Sequence, residues 1–359
     1  MSNNAMDEQL SKIHHKHKEE FSGACLITQG TEVLLSQANG LANRDFHVEN
    51  NLHTRFDTAS VTKAFTAVGI LQLVQRDLLR LDDNIHDILD LTGTAIPSDV
   101  QLAHLLNHTS GIADDADEEA GEDYAALFVD KPNYAIRHCA DFLPQFAYKP
   151  PNFKAGKNVR YNNCAYVLLG LAIEQVTDMD YRSYVTEHVF NAAGMQHSYF
   201  GAKDEVCPNT AEGYVALRDE KDNFIKWRKN IYSYPPIGTA DGGALTTVGD
   251  LDRFIRALKD GALLSQAYTD MIFSPHCPFP QKYRFGIKKQ TGYGFNFLYS
   301  HKKLLCVYKE GCNTGVSAIC SYYPALNIGL YMLANQDGSF WAMHDEMQTI
   351  LLNRVKESK

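Results

Sequence analysis

Strand-like runs stand at both ends of this chain, and a long helix-rich stretch separates them. Gly23 to Thr28 and Glu32 to Leu35 are short apolar runs split by Gln29-Gly30-Thr31, the pattern of a β-hairpin. Residues 60–77 read as a buried helix, with Phe65, Val68, Leu71 and Leu73 among its apolar positions. The middle suits helices at Gln101 to Asn107, Tyr166 to Val176 and Asp250 to Leu258, the last opened by a capping-box-like Thr247 and Asp250. Strand character returns at Leu304 to Tyr308, Val316 to Tyr323 and Ile328 to Ala334, and a final amphipathic helix covers about 340–356. This order implies an α/β domain made from both chain ends, residues 21–80 and 283–359, with a mainly helical domain, 81–282, inserted between them. Residues 1–20 form a separate N-terminal segment.

The bulk properties narrow the function. Hydrophobic residues make up 45% and charged residues 21%, as in ordinary globular proteins. The net charge of −9 argues against a nucleic-acid partner, which needs concentrated positive charge. No apolar run approaches the roughly 20 residues of a membrane helix. The charged residues 7–20 read as an amphipathic or frayed surface helix. Residues 1–5 read as a scar before a natural start at Met6, which leaves room for a removed signal peptide. Eight scattered cysteines form no CxxC pair, which disfavours a zinc ribbon and favours free thiols in a reducing, cytoplasmic setting.

Ser60-Val61-Thr62-Lys63 opens the first apolar helix. Positions i and i+3 share a helix face, so the lysine amine can reach the serine hydroxyl. Serine needs an adjacent base to act as a nucleophile, and lysine can be that base once burial or a nearby cation lowers its pKa. SxxK alone is a weak signal. Two further stretches strengthen it. Tyr161-Asn162-Asn163 offers a tyrosine that a cationic lysine could hold partly as phenolate, and an asparagine to bind a substrate amide. Helix capping by Asn162 or Asn163 is the blander reading. Lys309-Glu310-Gly311 ends a strand-like run, whereas Lys154-Ala155-Gly156 and Lys259-Asp260-Gly261 lie in helical-domain turns.

Together and in this order, these motifs resemble the serine β-lactamase and penicillin-binding-protein superfamily, most closely its class C branch with its D-amino peptidases and esterases. Leu81-Asp82-Asp83, Leu105 to Ile112, Phe153 to Gly156 and Gly242 to Leu251 extend the likeness along the chain from about residue 21. The resemblance implies a β-lactamase/transpeptidase-like fold, an antiparallel sheet flanked by helices with an inserted helical domain. It implies Ser60 as nucleophile, Lys63 and Tyr161 as shared general base, Asn163 on the substrate amide, and Lys309 completing the electrostatics. The backbone N–H groups of Ser60 and Cys312 would form the oxyanion hole. Gly311 would let substrate approach the strand. Glu310 departs from the family pattern, where a hydroxyl residue usually helps receive a carboxylate. Facing the cleft, it would disfavour β-lactams.

Other candidates carry blander readings. His14, His15 and His17 read as a solvated helix rather than a metal site, and His108 as a turn residue. The acidic run from Asp114 to Asp123 reads as a solvated loop, with an acidic lip at the cleft as the sharper alternative. Tyr124, Tyr232 and Tyr234 are candidate pocket residues. No GxSxG elbow or GxGxxG loop occurs. The expectation is therefore a serine hydrolase with no metal or cofactor, cleaving a small ester, amide or peptide through a Ser60 acyl-enzyme. A true β-lactamase or D-Ala-D-Ala carboxypeptidase is the alternative. An acylatable sensor or scaffold with poor turnover is the alternative of another class.

Overall fold

The computed structural model describes residues 3–357 apart from 279, 280, 284, 285, 337 and 339. Eight strands form one antiparallel sheet. They are β1 (Gly23–Gln29), β2 (Glu32–Asn39), β3 (Gln281–Lys282), β4 (Lys288–Thr291), β5 (Asn296–Ser300), β6 (Lys303–Asn313), β7 (Val316–Tyr323) and β8 (Ile328–Ala334). Their spatial order is β2-β1-β8-β7-β6-β5-β4-β3. The two chain ends meet at the β1–β8 ladder, where Gly23 pairs with Ala334 and Gln29 with Ile328. The expected antiparallel sheet with flanking helices is thus present.

Strand alternation splits the core into two faces. Cys25, Ile27, Ile319, Leu330 and Met332 face one way. There they meet helix α1 (Asn3–His17) through Met6 and Leu10, and helix α5 (Phe340–Glu357) through Met343, Met347 and Leu351. The N-terminal helix is therefore docked along one side rather than frayed on the surface. Its charged composition hid the apolar stripe of Met6 and Leu10, four residues apart and so on one face.

Ala24, Leu26, Val307, Ala318 and Leu333 face the other way, toward α2 (Thr62–Gln75) and α4 (Val248–Lys259). Almost all of α2 from Thr62 to Val74 is buried, which explains why it is apolar around its whole circumference. Each buried Leu, Ile or Phe side chain contributes roughly 1.5–3 kcal/mol, so α2 is a rigid platform. Thr247 accepts from the Asp250 N–H and caps α4 as its spacing implies.

Two elements differ from expectation. β6 runs on through Lys309 to Asn313, because Lys309 to Asn313 continue the ladder with β7 opposite Cys320 to Val316. Lys309 therefore lies inside a strand, not at its end. The helix-rich middle also holds a small hairpin, Tyr214–Arg218 with Phe224–Lys229. No helix of the described residues is long and apolar enough to cross a membrane.

Candidate active site

Ser60 lies in a single 3-10 turn, Ala59–Val61, that feeds directly into α2. Ala59 adopts φ 43°, a left-handed conformation that costs a non-glycine residue roughly 1–3 kcal/mol. The turn is held by Asp57, whose carboxylate accepts from the Ala59 N–H at 2.7 Å. It is also held by Thr62, whose hydroxyl donates to the Ala59 carbonyl at 2.8 Å. Strand β6 presses against it. A Cβ on Gly311 would lie 2.1 Å from the Thr58 carbonyl oxygen and 2.9 Å from the Ser60 nitrogen. Only glycine allows that approach.

The serine hydroxyl has two close partners. Lys63 Nζ lies 3.0 Å from Ser60 Oγ, and the Tyr161 hydroxyl donates to Ser60 Oγ at 2.7 Å. Lys63 Nζ also donates to Asn163 Oδ1 at 2.7 Å and to the Asp241 carbonyl at 2.5 Å. Three acceptors match the three protons of an ammonium. Burial nevertheless pulls the Lys63 pKa down, against the nearby carboxylates of Asp241, Glu118, Asp114 and Asp115. Its neutral amine is thereby brought within reach.

Lys309 stands over the Tyr161 ring, 4.9 Å from its centroid, with Lys63 5.1 Å from the same centroid. Burial and the neighbouring Lys63 charge lower the Lys309 pKa to about 7. Tyr161 departs from the expectation of a partial phenolate. Burial and the Glu118 carboxylate push its pKa well above the ordinary value, so it stays a phenol and a donor. His108 packs on it with ring centroids 4.7 Å apart, and its Nδ1 accepts from the Asn162 N–H. Burial and the Lys309 and Lys63 charges hold His108 neutral, its pKa well below the usual. It positions the tyrosine, consistent with its reading as a turn residue at φ 60°.

Helix α3 (Cys164–Thr177) positions Asn163 at its N-terminus. Here the capping and functional readings are divided between neighbours. Asn162 caps the helix, its side-chain oxygen accepting from the Ala165 N–H at 2.6 Å, while Asn163 faces Lys63.

Lys309 and Gly311 share one face of β6 and Glu310 takes the other, with Tyr308. Glu310 meets Lys289 Nζ at 3.5 Å and does not line the main cavity. Its charge is answered by a cation beside it, against the expectation of bare repulsion in the cleft. Lys154 and Lys259 lie elsewhere, facing Asp99 and Asn327.

The acidic run is solvated from Glu118 to Asp123, as the blander reading expects, but not at its start. Asp114 and Asp115 are buried, and Asp114 accepts from the Asn163 and Cys164 N–H groups at 2.9 Å each. A carboxylate there meets the positive end of the α3 dipole. Burial raises the pKa of both aspartates, and the Asp114 charge raises Asp115 further. Glu118 accepts from the Asn163 side-chain amide at 2.9 Å, and Glu119 accepts from the Tyr161 N–H at 2.9 Å. Arg160 ties the loop down through Asp117. None of these contacts has a local spacing signature. The one hint in the sequence was the density of carboxylates.

A cavity of about 900 Å³ opens at Ser60. Its walls include Asn163, Cys312, Tyr234, and Glu118, Glu122 and Asp123 of the acidic loop. The volume suits a small-molecule ligand.

A serine turn pressed by a glycine strand, with lysine and tyrosine on one hydroxyl, agrees with what comparison with known proteins finds. The Beta-lactamase family model matches residues 11–352. The chain belongs to the Beta-lactamase family. It is similar to "Penicillin-binding protein 4*" of Bacillus subtilis (strain 168), 27% identical over 275 residues, 72% of this chain. The match spans 56% of that relative's length. The crystal structure of a penicillin binding protein from Bacillus halodurans is 35% identical. It superposes with a TM-score of 0.85, over 95% of this chain and 98% of that one. D-amino acid amidase from Ochrobactrum anthropi SV3 shares the fold at 20% identity, with a TM-score of 0.76 and 99% of each chain covered.

Proposed function

We propose that the protein hydrolyses a small ester, amide or peptide bond through an acyl-enzyme on Ser60, and that it prefers neutral or cationic substrates. The supporting observation is the convergence on one hydroxyl of Lys63 at 3.0 Å and Tyr161 at 2.7 Å. With Lys63 neutral, its amine takes the Ser60 proton as Oγ attacks the carbonyl carbon. The Tyr161 phenol gives its proton to the leaving oxygen or nitrogen, and Lys63 then reprotonates Tyr161. The Ser60 and Cys312 N–H groups receive the oxyanion, and Asn163 holds the substrate amide. Water repeats the sequence to release the acid. The cation on Lys309 steadies charge that develops around Tyr161.

The charge preference rests on Glu118, Glu122 and Asp123 in the cavity wall. Loss of the hydroxyl residue at Glu310 acts in the same direction. Parallel assays of a short-chain p-nitrophenyl ester, an amino-acid p-nitroanilide and a chromogenic cephalosporin test this reading. Steady turnover of the ester or anilide after any burst, faster than that of the cephalosporin, is expected. A burst of one equivalent with no steady state would favour an acylatable sensor. Fastest turnover of the cephalosporin would favour a true β-lactamase.

A further inference from the structure

The backbone enters Ser60 through a bend that hydrogen bonds hold from both sides. On the far side, the Ala59 carbonyl accepts from the Thr62 hydroxyl at 2.8 Å and from the Gly243 N–H at 3.2 Å. In a trans peptide the N–H points opposite to the carbonyl, so these bonds turn the Ser60 N–H away from Thr62 and Gly243. The Val61 N–H returns to the Thr58 carbonyl at 3.0 Å. The Ser60 N–H meets no protein acceptor among the described residues, and Ser60 lines the cavity. On the near side, the Ala59 N–H donates to the Asp57 carboxylate at 2.7 Å. The φ of 43° at Ala59 is the rotation that joins the two held peptide planes.

Asp57 takes no part in the proton transfers proposed above, yet its carboxylate is firmly placed. Its backbone pairs with Leu245 in a short two-stranded ladder. Burial raises its pKa, while the Lys203 charge, the Ala59 N–H and the Tyr234 hydroxyl oppose that rise and favour the carboxylate. Tyr234 is itself fixed, because its hydroxyl accepts from the Asn230 side-chain N–H at 2.9 Å and Asn230 also donates to the Thr314 carbonyl at 2.8 Å. A left-handed alanine persists only where its surroundings over-determine it. Glycine would adopt the same φ unaided. We propose that Asp57 is a positioning residue for acyl transfer, holding the left-handed bend at Ala59 and thereby keeping the Ser60 N–H aimed at the developing oxyanion.

The assignment rests on the acyl-enzyme reading, in which the Ser60 and Cys312 N–H groups receive the oxyanion. It gives Asp57 an effect on kcat and little effect on KM, because the oxyanion forms only as Oγ attacks. Without the carboxylate, Ala59 is drawn toward negative φ against the bonds on its carbonyl. The Ser60 N–H then shifts relative to the Cys312 N–H, and a misplacement of about 1 Å costs roughly 10²-fold in rate. The contact between Lys63 and Ser60 Oγ does not pass through Asp57, so substrate binding and the proton path are spared.

The test measures kcat and KM for p-nitrophenyl acetate at a temperature where circular dichroism shows every variant folded. Asp57→Ala is expected to lower kcat by about 10–100-fold, with KM within about twofold of wild type. Asp57→Asn keeps an oxygen acceptor for the Ala59 N–H and should lose less than about fivefold. Ala59→Gly/Asp57→Ala should show a kcat at least about fivefold above that of Asp57→Ala, since glycine needs no carboxylate to hold the bend. A wild-type kcat in Asp57→Ala overturns the proposal, as does a loss carried by KM or no recovery in the double variant. If Asp57→Ala does not fold, the double variant decides: folded and within about tenfold of the wild-type kcat it supports the role, and unfolded or slower it overturns it. Fluorophosphonate labelling of the wild-type protein at Ser60 is scored separately. Its failure would sink the acyl-enzyme reading, and its success alongside a wild-type kcat in Asp57→Ala would sink the role of Asp57 alone.

Discussion

The turn that carries Ser60 and the loop from Asp114 to Tyr124 meet at one cavity, yet they are built in opposite ways. The turn is local. Ser60 and Lys63 are three residues apart across the junction of the 3-10 turn with α2, and Asp57 holds the strained Ala59 from two residues away. The loop works at long range. Asp114 grips the start of α3 nearly fifty residues on, and Glu118 reaches the Asn163 amide. In the proposed mechanism the turn and the start of α2 supply the nucleophile and base. The loop sets the orientation and charge of what surrounds them. A local device can be recognised from spacing alone, and a long-range one cannot.

The largest expected effects belong to the turn. Ser60→Ala should lower ester hydrolysis by more than about 10⁴-fold, measured as kcat/KM against a short-chain ester. Tyr161→Phe should lower kcat by about 10²–10⁴-fold with little change in KM, since it removes one proton transfer. Activity close to wild type in Tyr161→Phe would leave proton delivery to Lys63 alone and break the shared role.

Changes in the loop should act first on stability, and with opposite signs at adjacent residues. Asp114→Ala strips two helix N–H groups of their acceptor and should destabilise by about 1–3 kcal/mol, read as a lower Tm. Asp115→Asn should raise Tm at neutral pH. Its carboxyl is buried with Oδ2 unpartnered, and burial with the Asp114 charge raises its folded pKa well above the usual value. For such a group, stability is fully present below the unfolded pKa, about 4, and is lost as pH rises through the folded value. Removing the titration should therefore flatten the decline of Tm with rising pH above about 4. A slope as steep in Asp115→Asn as in the wild type would show that Asp115 is ionised in the fold.

Smaller effects concern substrate charge. Glu118→Gln should reduce the preference for a cationic over a neutral ester by about two- to fivefold, the size of a partly exposed charge pair. Glu310→Thr should raise cephalosporin relative to ester hydrolysis by less than that, because Lys289 already answers the Glu310 charge. A larger response from Glu310 than from Glu118 would reverse the ranking of the two regions.

The same contrast explains how much was legible in the sequence. Short apolar runs bounded by turn residues marked β1, β7 and β8 closely, because these strands are buried on both faces and so are apolar nearly throughout. The spacing of Ser60 and Lys63 marked the start of α2 for the same local reason. Lys309 was recognised, but the length of its strand was not, since Glu310 and Gly311 weaken the strand pattern and pairing with β7 restores it. The role of Asp114 was hidden, because a buried carboxylate and a solvated one look alike until their partners are known. The upward shift of the Tyr161 pKa is hidden from the sequence for a related reason. The neighbouring lysines were visible as motif members, whereas the depth of burial and the approach of Glu118 came only with the fold.

The central claim is that this site acylates on Ser60, and intact-protein and peptide mass spectrometry after fluorophosphonate treatment tests it most directly. The account predicts one adduct per chain, on the peptide carrying Ser60, absent from Ser60→Ala. An adduct on Ser110 or Ser317 instead, or equal labelling of Ser60→Ala, would contradict it.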